Sequence, residues 1–286
     1  MMLLISGFLG CSNRAISQSF SFGLIADCQY RAEPGDGIRK YTISDQKLKE
    51  CVQHFNTMDL KYVIHLGDFI DKDISSLDVV GPIYHQLLMS KYHVLGNHDF
   101  SVADELKDQV PHILGMTSRY YDFKLENWRF IVLDGNDVSF HAYAANSLQY
   151  QKAENYYADN NIKSPKWNGA LGQKQMDWLK GILEKAKNLG EHVILYCHFP
   201  VFPENVHNLW NALEVVELIE DYDCVKAFIN GHNHEGNYGN REGIHYLTLH
   251  GMVDTEETSY AVIKVAEDQL YVEGFGREQP RELPIR

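Results

Sequence analysis

Five short stretches of this 286-residue chain gather the side chains that bind cations or move protons: Asp27-Cys28-Gln29, Gly67-Asp68 with Asp71, Gly96-Asn97-His98-Asp99, His198, and Gly231-His232-Asn233-His234. Carboxylate, carboxamide and imidazole in one set suit Mn, Fe or Zn far better than Ca or the thiolate-seeking metals. A lone Gly-Asp or His-x-His is more often a satisfied turn than a ligand. Five such stretches in series point to a divalent-metal site.

Hydrophobic pattern outlines the strands and helices that carry these stretches. Phe20 to Asp27 and Lys61 to Asp68 are apolar runs that rise to an acid, each reading as a buried strand with a carboxylate at its carboxyl end. Leu48, Val52 and Phe55 recur at helical spacing between them, which predicts a helix over residues 44–58 and a strand-helix-strand unit. The same reading predicts a helix at 75–90, a strand at 92–95, and a helix at 102–114 stopped by Gly115. A hairpin follows, 119–125 against 128–133 about Glu126-Asn127. Residues 173–189 predict a helix ended by Gly190. Strands are expected at 192–198 and 224–232 with a helix near 210–220 between them, and closing strands at 244–249, 260–265 and 270–274. In open α/β sheets ligands bind at the carboxyl ends of strands, where all five stretches fall. Residues 135–171 carry Tyr143, Tyr150, Tyr156, Tyr157 and Trp167 without a period, and predict a long, partly helical surface excursion.

Composition narrows the classes. Hydrophobic residues at 44% and charged residues at 23% describe a globular chain with a sizeable core. The balance of 26 basic and 39 acidic residues, a net charge of −13, argues against sequence-independent nucleic-acid binding. No stretch approaches the roughly 18 consecutive apolar residues that span a bilayer. Met1 to Gly10 is uncharged and largely apolar, and Phe8-Leu9-Gly10-Cys11 resembles a lipoprotein box, although no Lys or Arg precedes it. The expectation is a signal or tether over residues 1–19, with a lipid on Cys11 as the one membrane link, and one domain over 20–286. The protein would then be exported and anchored; without that signal it would be cytoplasmic. The other four cysteines have no metal or disulfide spacing and read as buried thiols.

In order and spelling the five stretches resemble the calcineurin-like metallophosphoesterases, with their Asp-x-His, Gly-Asp-x-x-Asp, Gly-Asn-His-Asp/Glu, His and Gly-His-x-His signature. The resemblance implies an α/β/β/α four-layer sandwich of two mixed sheets flanked by helices. It implies that Asp27, Gln29 and His234 hold one metal, that Asn97, His198 and His232 hold another, and that Asp68 bridges them. His98 would be the catalytic residue, oriented by Asp99, with Asp71 beside the site. Gln29 departs from the usual histidine; its neutral amide oxygen is a weaker ligand than imidazole and suggests dependence on added Mn²⁺, with Fe, Zn and Mg as alternatives.

That Asp-x-Gln spelling, with FGLIADCQY (22–30), IRKYTIS (38–44), HLGDFID (65–71), WNGALGQKQMDWL (167–179), HFPVFPE (198–204), INGHNHEGNYG (229–239) and GIHYLTLHGMVDTEETSYAVIKV (243–265), is similar to the manganese-dependent ADP-ribose/CDP-alcohol diphosphatases. The resemblance implies a monomeric enzyme that cleaves the pyrophosphate of a small nucleotide substrate. Arg39 and Lys40 are the candidate cations for a second phosphate, and Tyr41, Phe199, Phe202 and Tyr238 the aromatic faces for a base or sugar. The same metal ligands would equally serve a phosphomonoesterase, a phosphoprotein phosphatase or a cyclic-nucleotide phosphodiesterase, since they address the phosphoryl group all of these share. A surface lipoprotein that binds without turnover is the non-enzymatic reading. It is disfavoured because buried charged ligands destabilise a fold that has no metal for them.

Overall fold

A computed structural model describes residues 19–35 and 37–285; the tether and Cys11 fall outside them. Twelve strands are described: β1 Phe20–Ile25, β2 Tyr62–His65, β3 Ser90–His93, β4 Tyr121–Leu125, β5 Trp128–Val132, β6 His192–Tyr196, β7 Val225–Asn230, β8 Glu235–Arg241, β9 Ile244–His250, β10 Ser259–Val265, β11 Gln269–Gly276 and β12 Arg281–Pro284. The helices are α1 Ser44–Phe55, α2 Leu77–Tyr84, α3 Val110–Ile113, α4 Leu148–Asp159, α5 Gln173–Leu189 and α6 Ala212–Glu220.

The strands make two six-stranded mixed sheets, β12-β11-β10-β1-β2-β3 and β4-β5-β6-β7-β9-β8. Alternate residues of a strand point to opposite faces, and the burial follows that rule. Phe20, Phe22 and Leu24 of β1 meet Trp128, Phe130 and Val132 of β5 in a core between the sheets. Ile25, in contrast, faces Leu48, Val52 and Phe55 of α1 on the outer side of the first sheet. Ile131 of β5 faces Leu179 and Leu183 of α5 on the outer side of the second. These three cores give the expected α/β/β/α layering. Inside the central core Phe22 stacks on Tyr62 with ring centroids 4.8 Å apart, and the Tyr62 and Tyr196 hydroxyls satisfy each other at 2.7 Å.

Departures from the sequence reading have local causes. The 75–90 helix shrinks to α2, entered by a 3-10 turn whose Asp73 carboxylate accepts from Ser75 N at 2.9 Å. The 102–114 helix splits into a 3-10 turn, Asp104–Gln109, and the short α3, because Pro111 lacks the N–H that a continuous helix would need. Gly115 does end it, at φ 76°. Strands β8 and β12 are absent from the sequence reading. The polar EGNYGNR of β8 has weak strand propensity, but pairing to β9 through the left-handed Glu242-Gly243 turn (φ 50° and 83°) recruits it as an edge. The 135–171 excursion is closed at its base by Val138 pairing with Ala170. Its α4 is capped by Ser147, and Phe140 and Tyr157 pack on Trp210.

Phe130 is fully buried among Phe22, Tyr62, Phe123 and Tyr196, so Phe130→Ala is expected to cost about 3–5 kcal/mol by urea unfolding. A loss under about 1 kcal/mol would show that the two sheets do not depend on this layer.

Candidate metal centre and substrate cavity

Each ligand stretch begins where a buried strand ends, and four of the ligand residues turn the chain by adopting left-handed backbone. Asp27, Gln29, Asp68 and His232 have φ of 53°, 48°, 55° and 69°. Such conformations cost side-chain-bearing residues on the order of 1 kcal/mol or more and persist only when their surroundings fix them. Here hydrogen bonds do so: Asp27 N donates to Gly67 O at 3.2 Å and Gln29 N to Asp68 O at 2.8 Å. Close approach fixes two glycines. A Cβ on Gly96 would lie 2.1 Å from Asp68 Oδ1, and one on Gly231 would lie 2.6 Å from Asp27 Oδ2.

Asp99 does something other than orient His98. Fully buried, it accepts backbone N–H groups from Gly96 (2.9 Å), Asp68 (3.1 Å), Phe69 (2.7 Å) and Ile70 (3.3 Å), and so staples the Asp68 loop to the Asn97 loop. The carboxylate on His98 is Asp71 instead, whose Oδ1 lies 2.6 Å from His98 Nδ1. Arg31 donates to the other oxygen of Asp71 at 2.9 Å and lies 4.0 Å over the Tyr41 ring. The expected pairing of Asp99 with His98 is therefore corrected: the short Asn97–Phe100 turn points the neighbouring side chains apart.

The donors converge. Ligand atoms of Asp68, His198 and His232 all lie within 4.8 Å of one another. His198 Nε2 is 3.2 Å from Asp68 Oδ2, 3.2 Å from Asn97 Oδ1 and 3.1 Å from His232 Nδ1. His234 Nε2 sits 3.4 Å from Asp27 Oδ1.

A partner behind each ring fixes which nitrogen faces inward. His198 Nδ1 donates to Leu66 O (2.9 Å), His234 Nδ1 to Asp254 (3.0 Å), and His232 Nε2 to Asn168 Oδ1 (3.0 Å), whose amide NH₂ is committed to Val206 O. Outer partners of this kind are what metal-binding imidazoles require. Both amide atoms of Gln29 are buried without a hydrogen bond, an expensive arrangement that a cation would resolve. The donor set therefore fits divalent metal.

Protons occupy part of that role in the cation-free protein. Burial alone would lower the pKa of His198, but Asp68 and Asp27 outweigh it and hold it up at about 9. For His234, Asp27 and Asp254 likewise overcome burial and raise the value to about 9. The same interactions with His198 and His98 keep Asp68 well below the usual carboxylate range despite its burial.

Above the donors opens a cavity of 680 Å³. Asp68, Asn97, His98, His232 and His234 form one part of its lining and Arg39 another, while Phe140, His141, Lys166 and Trp167 of the excursion and His207 face them. Among the expected substrate residues, Arg39 is in place. Lys40 turns away to Glu256 (3.1 Å), and Tyr41 is buried beneath Arg31. Phe199 is fully buried against the His198 and His232 rings, Phe202 packs on Tyr246, and Tyr238 stacks on His245. These five are corrections: Tyr41 and Phe199 are taken up by the core, as aromatics near a strand end often are, Phe202 is partly buried against it, and Lys40 and Tyr238 are spent on partners outside the cavity lining. Asn168 and Asp254 were missed, although WNGALGQKQMDWL and GIHYLTLHGMVDTEETSYAVIKV contain them.

The calcineurin-like phosphoesterase family model matches residues 20–236. The chain belongs to that family. It is 31% identical to the manganese-dependent ADP-ribose/CDP-alcohol diphosphatase of Arabidopsis thaliana, over 91% of this chain and 95% of that protein. It is 28% identical to the enzyme of the same name from Xenopus laevis, over 96% and 93%. Among solved structures, a dimetal phosphatase from Danio rerio matches 93% of this chain and 99% of its own with a TM-score of 0.84 at 24% identity, which supports the same fold.

A histidine whose folded pKa is raised contributes stability that is complete below its unfolded value and lost as pH rises through the folded one. The chelator-treated protein should therefore lose thermal stability as pH climbs from about 6.5 to about 9. Mn²⁺ must displace these protons, so its binding should release protons and tighten over the same window. Thermal scans in chelator and calorimetry in buffers of different ionisation enthalpy check both; a flat melting temperature across the window contradicts the assignment.

Proposed function

We propose that the protein is a manganese-dependent hydrolase of nucleoside diphosphate-linked compounds such as ADP-ribose and CDP-alcohols, releasing a nucleoside monophosphate and a second phosphate ester. The observation that carries this reading is the pairing of a buried carboxylate, carboxamide and histidine floor with cavity walls that offer both cations, Arg39 and Lys166, and aromatic faces, Phe140 and Trp167. The floor suits one phosphoryl group, the cations a second, and the aromatic rings a base or sugar. The relatives that share this name align over more than nine-tenths of both chains.

Asp27, Gln29 and His234 would hold one ion, Asn97, His198 and His232 the other, and Asp68 both. Two divalent ions there supply charge neutralisation at a phosphoryl oxygen and acidity to an attacking water. The chain's own residues do the rest. Asp71 holds His98 by Nδ1 at the cavity wall, which leaves Nε2 to donate toward the departing oxygen. Arg31 keeps Asp71 from swinging away. Because a departing phosphate is already a stable anion, the His98 contact chiefly stabilises charge. Lys166 lies 4.7 Å over the Phe140 ring, which keeps its ammonium beside the cavity instead of free in solvent. Trp167, 40% exposed and 5.1 Å from the rings of both His207 and His232, offers an open face beside the metal ligands.

Residues 1–19 support export with a lipid on Cys11, which would place the activity outside the cytoplasm. Labelled fatty acid should be incorporated into the wild type expressed in bacteria and not into Cys11→Ala; an unlabelled wild type removes the anchor.

Purified protein offered ADP-ribose, CDP-choline, cyclic AMP and p-nitrophenyl phosphate, each with Mn²⁺, Mg²⁺ or chelator, should release AMP or CMP only with metal, and faster than it cleaves the monoester. Faster monoester or cyclic-nucleotide hydrolysis would keep the site and overturn the substrate class. His98→Ala should keep bound metal and lose about two to four decades of rate.

A further inference from the structure

Lys47, on the first turn of α1, is 4% exposed and reaches a segment more than 200 residues away. Its ammonium donates to three backbone carbonyls of the loop between β9 and β10: Met252 O at 2.9 Å, Asp254 O at 3.2 Å and Thr255 O at 2.6 Å. All three of its N–H donors are used. Burying an ammonium is costly, and burial lowers the Lys47 pKa to about 8, which still leaves it a cation at neutral pH. An apolar side chain here would leave the carbonyls of Met252, Asp254 and Thr255 without this donor, so the ammonium is spent on fixing that loop.

They hold a strained loop. Thr255 has φ 57°, which is an outlier for a β-branched residue. The segment before it is tied to the metal centre at several points. Met252 N donates to Ala26 O and Val253 N to Asp27 O, each at 2.9 Å, which seats the Asp27 turn. The Asp254 carboxylate accepts from His234 Nδ1 at 3.0 Å. Asp254 also pairs through its backbone with Arg39, and Thr255 N donates to Ile38 O, so the cavity's Arg39 hangs on the same loop. The other group of ligands has further supports of its own, Asp99 beneath Asn97, Leu66 O behind His198 and Asn168 behind His232, although His232 N also donates to the Asp27 carboxylate at 3.2 Å.

We infer that Lys47 is a positioning residue that locks the 252–255 loop in its strained form and so sets the Asp27, Gln29 and His234 half of the metal centre. It touches neither metal nor substrate. The inference rests on the two-metal reading proposed above.

The test is Mn²⁺ binding to the metal-stripped full-length protein by calorimetry, with melting temperature and ADP-ribose hydrolysis measured separately. Lys47→Met should weaken one of the two Mn²⁺ affinities by about tenfold or more, the scale on which outer partners act, and leave the other within about twofold. Glycine adopts positive φ without a Cβ penalty. Thr255→Gly added to Lys47→Met should therefore restore most of the lost affinity, and Thr255→Gly alone should leave binding unchanged. A lysine that serves only packing would lower the melting temperature while both affinities hold or fall together, and Thr255→Gly would restore nothing; each of these results overturns the inference. If Lys47→Met does not fold, Lys47→Gln keeps two N–H donors without the charge and must show the same selective loss, an equal or absent loss again overturning it. A wild type that binds a single Mn²⁺ overturns it outright. A wild type that binds two and cleaves no pyrophosphate refutes the substrate reading and leaves this test intact.

Discussion

The structure depends on four candidate ligand residues held in left-handed backbone at the ends of buried strands. A strand that continued straight would carry Asp27 or Asp68 past the crevice. One left-handed residue reverses the chain within the turn and leaves the side chain at the sheet's rim. The turns are unfavourable one by one, so each is pinned by a neighbour. The Asp27 turn leans on Gly67 O, the Gln29 turn on Asp68 O, and the Asp68 turn on Asp99. The rim is one hydrogen-bonded unit, and each left-handed residue is stable because the adjacent turn is already formed. Strain that survives because its surroundings over-determine it is common at functional sites.

Electrostatics imposes a second constraint on the same groups. Asp68 at the cavity floor and Asp27 and Asp99 beside and beneath it are all buried, a burden that side-chain packing cannot relieve. Three compensations are visible. Asp99 takes four backbone N–H groups, Asp68 and Asp27 draw protons onto His198 and His234, and the orphaned amide of Gln29 stands ready for a cation. The outer partners Leu66 and Asp254 turn those imidazoles so that the nitrogen facing the carboxylates can also face metal, and Asn168 likewise leaves Nδ1 of His232 facing inward. Asn168 belongs to the same excursion that supplies Lys166 and Trp167. One segment thus supports the candidate ligand His232 from behind and lines the cavity in front, a placement that the aperiodic sequence of residues 135–171 conceals.

The five motif stretches were enough to name the groups that must meet. Gly-Asp, Gly-Asn-His-Asp and Gly-His-x-His following apolar runs carry their own explanation, since the glycine admits a close approach and the strand delivers the side chain. The layered fold was equally legible, because strands buried on both faces and helices with one apolar stripe leave few ways to pack. Local elements went astray where context overrode propensity, as in the polar β8, recruited as an edge by its hairpin to β9, or the helix that Pro111 divides. Tertiary structure alone decided which carboxylate serves His98, because Asp99 is its neighbour in sequence and Asp71 lies 27 residues away, yet the fold turns the distant one onto the ring and the adjacent one beneath the loops. It alone decided that Phe199 is core and Phe202 partly buried against it while Phe140 and Trp167 are cavity, and that Lys47 reaches a loop more than two hundred residues away. The physical reason is common to all three: residue type and spacing fix what a side chain can do and which way its own strand or helix points it, whereas its partner depends on how separate elements are brought together.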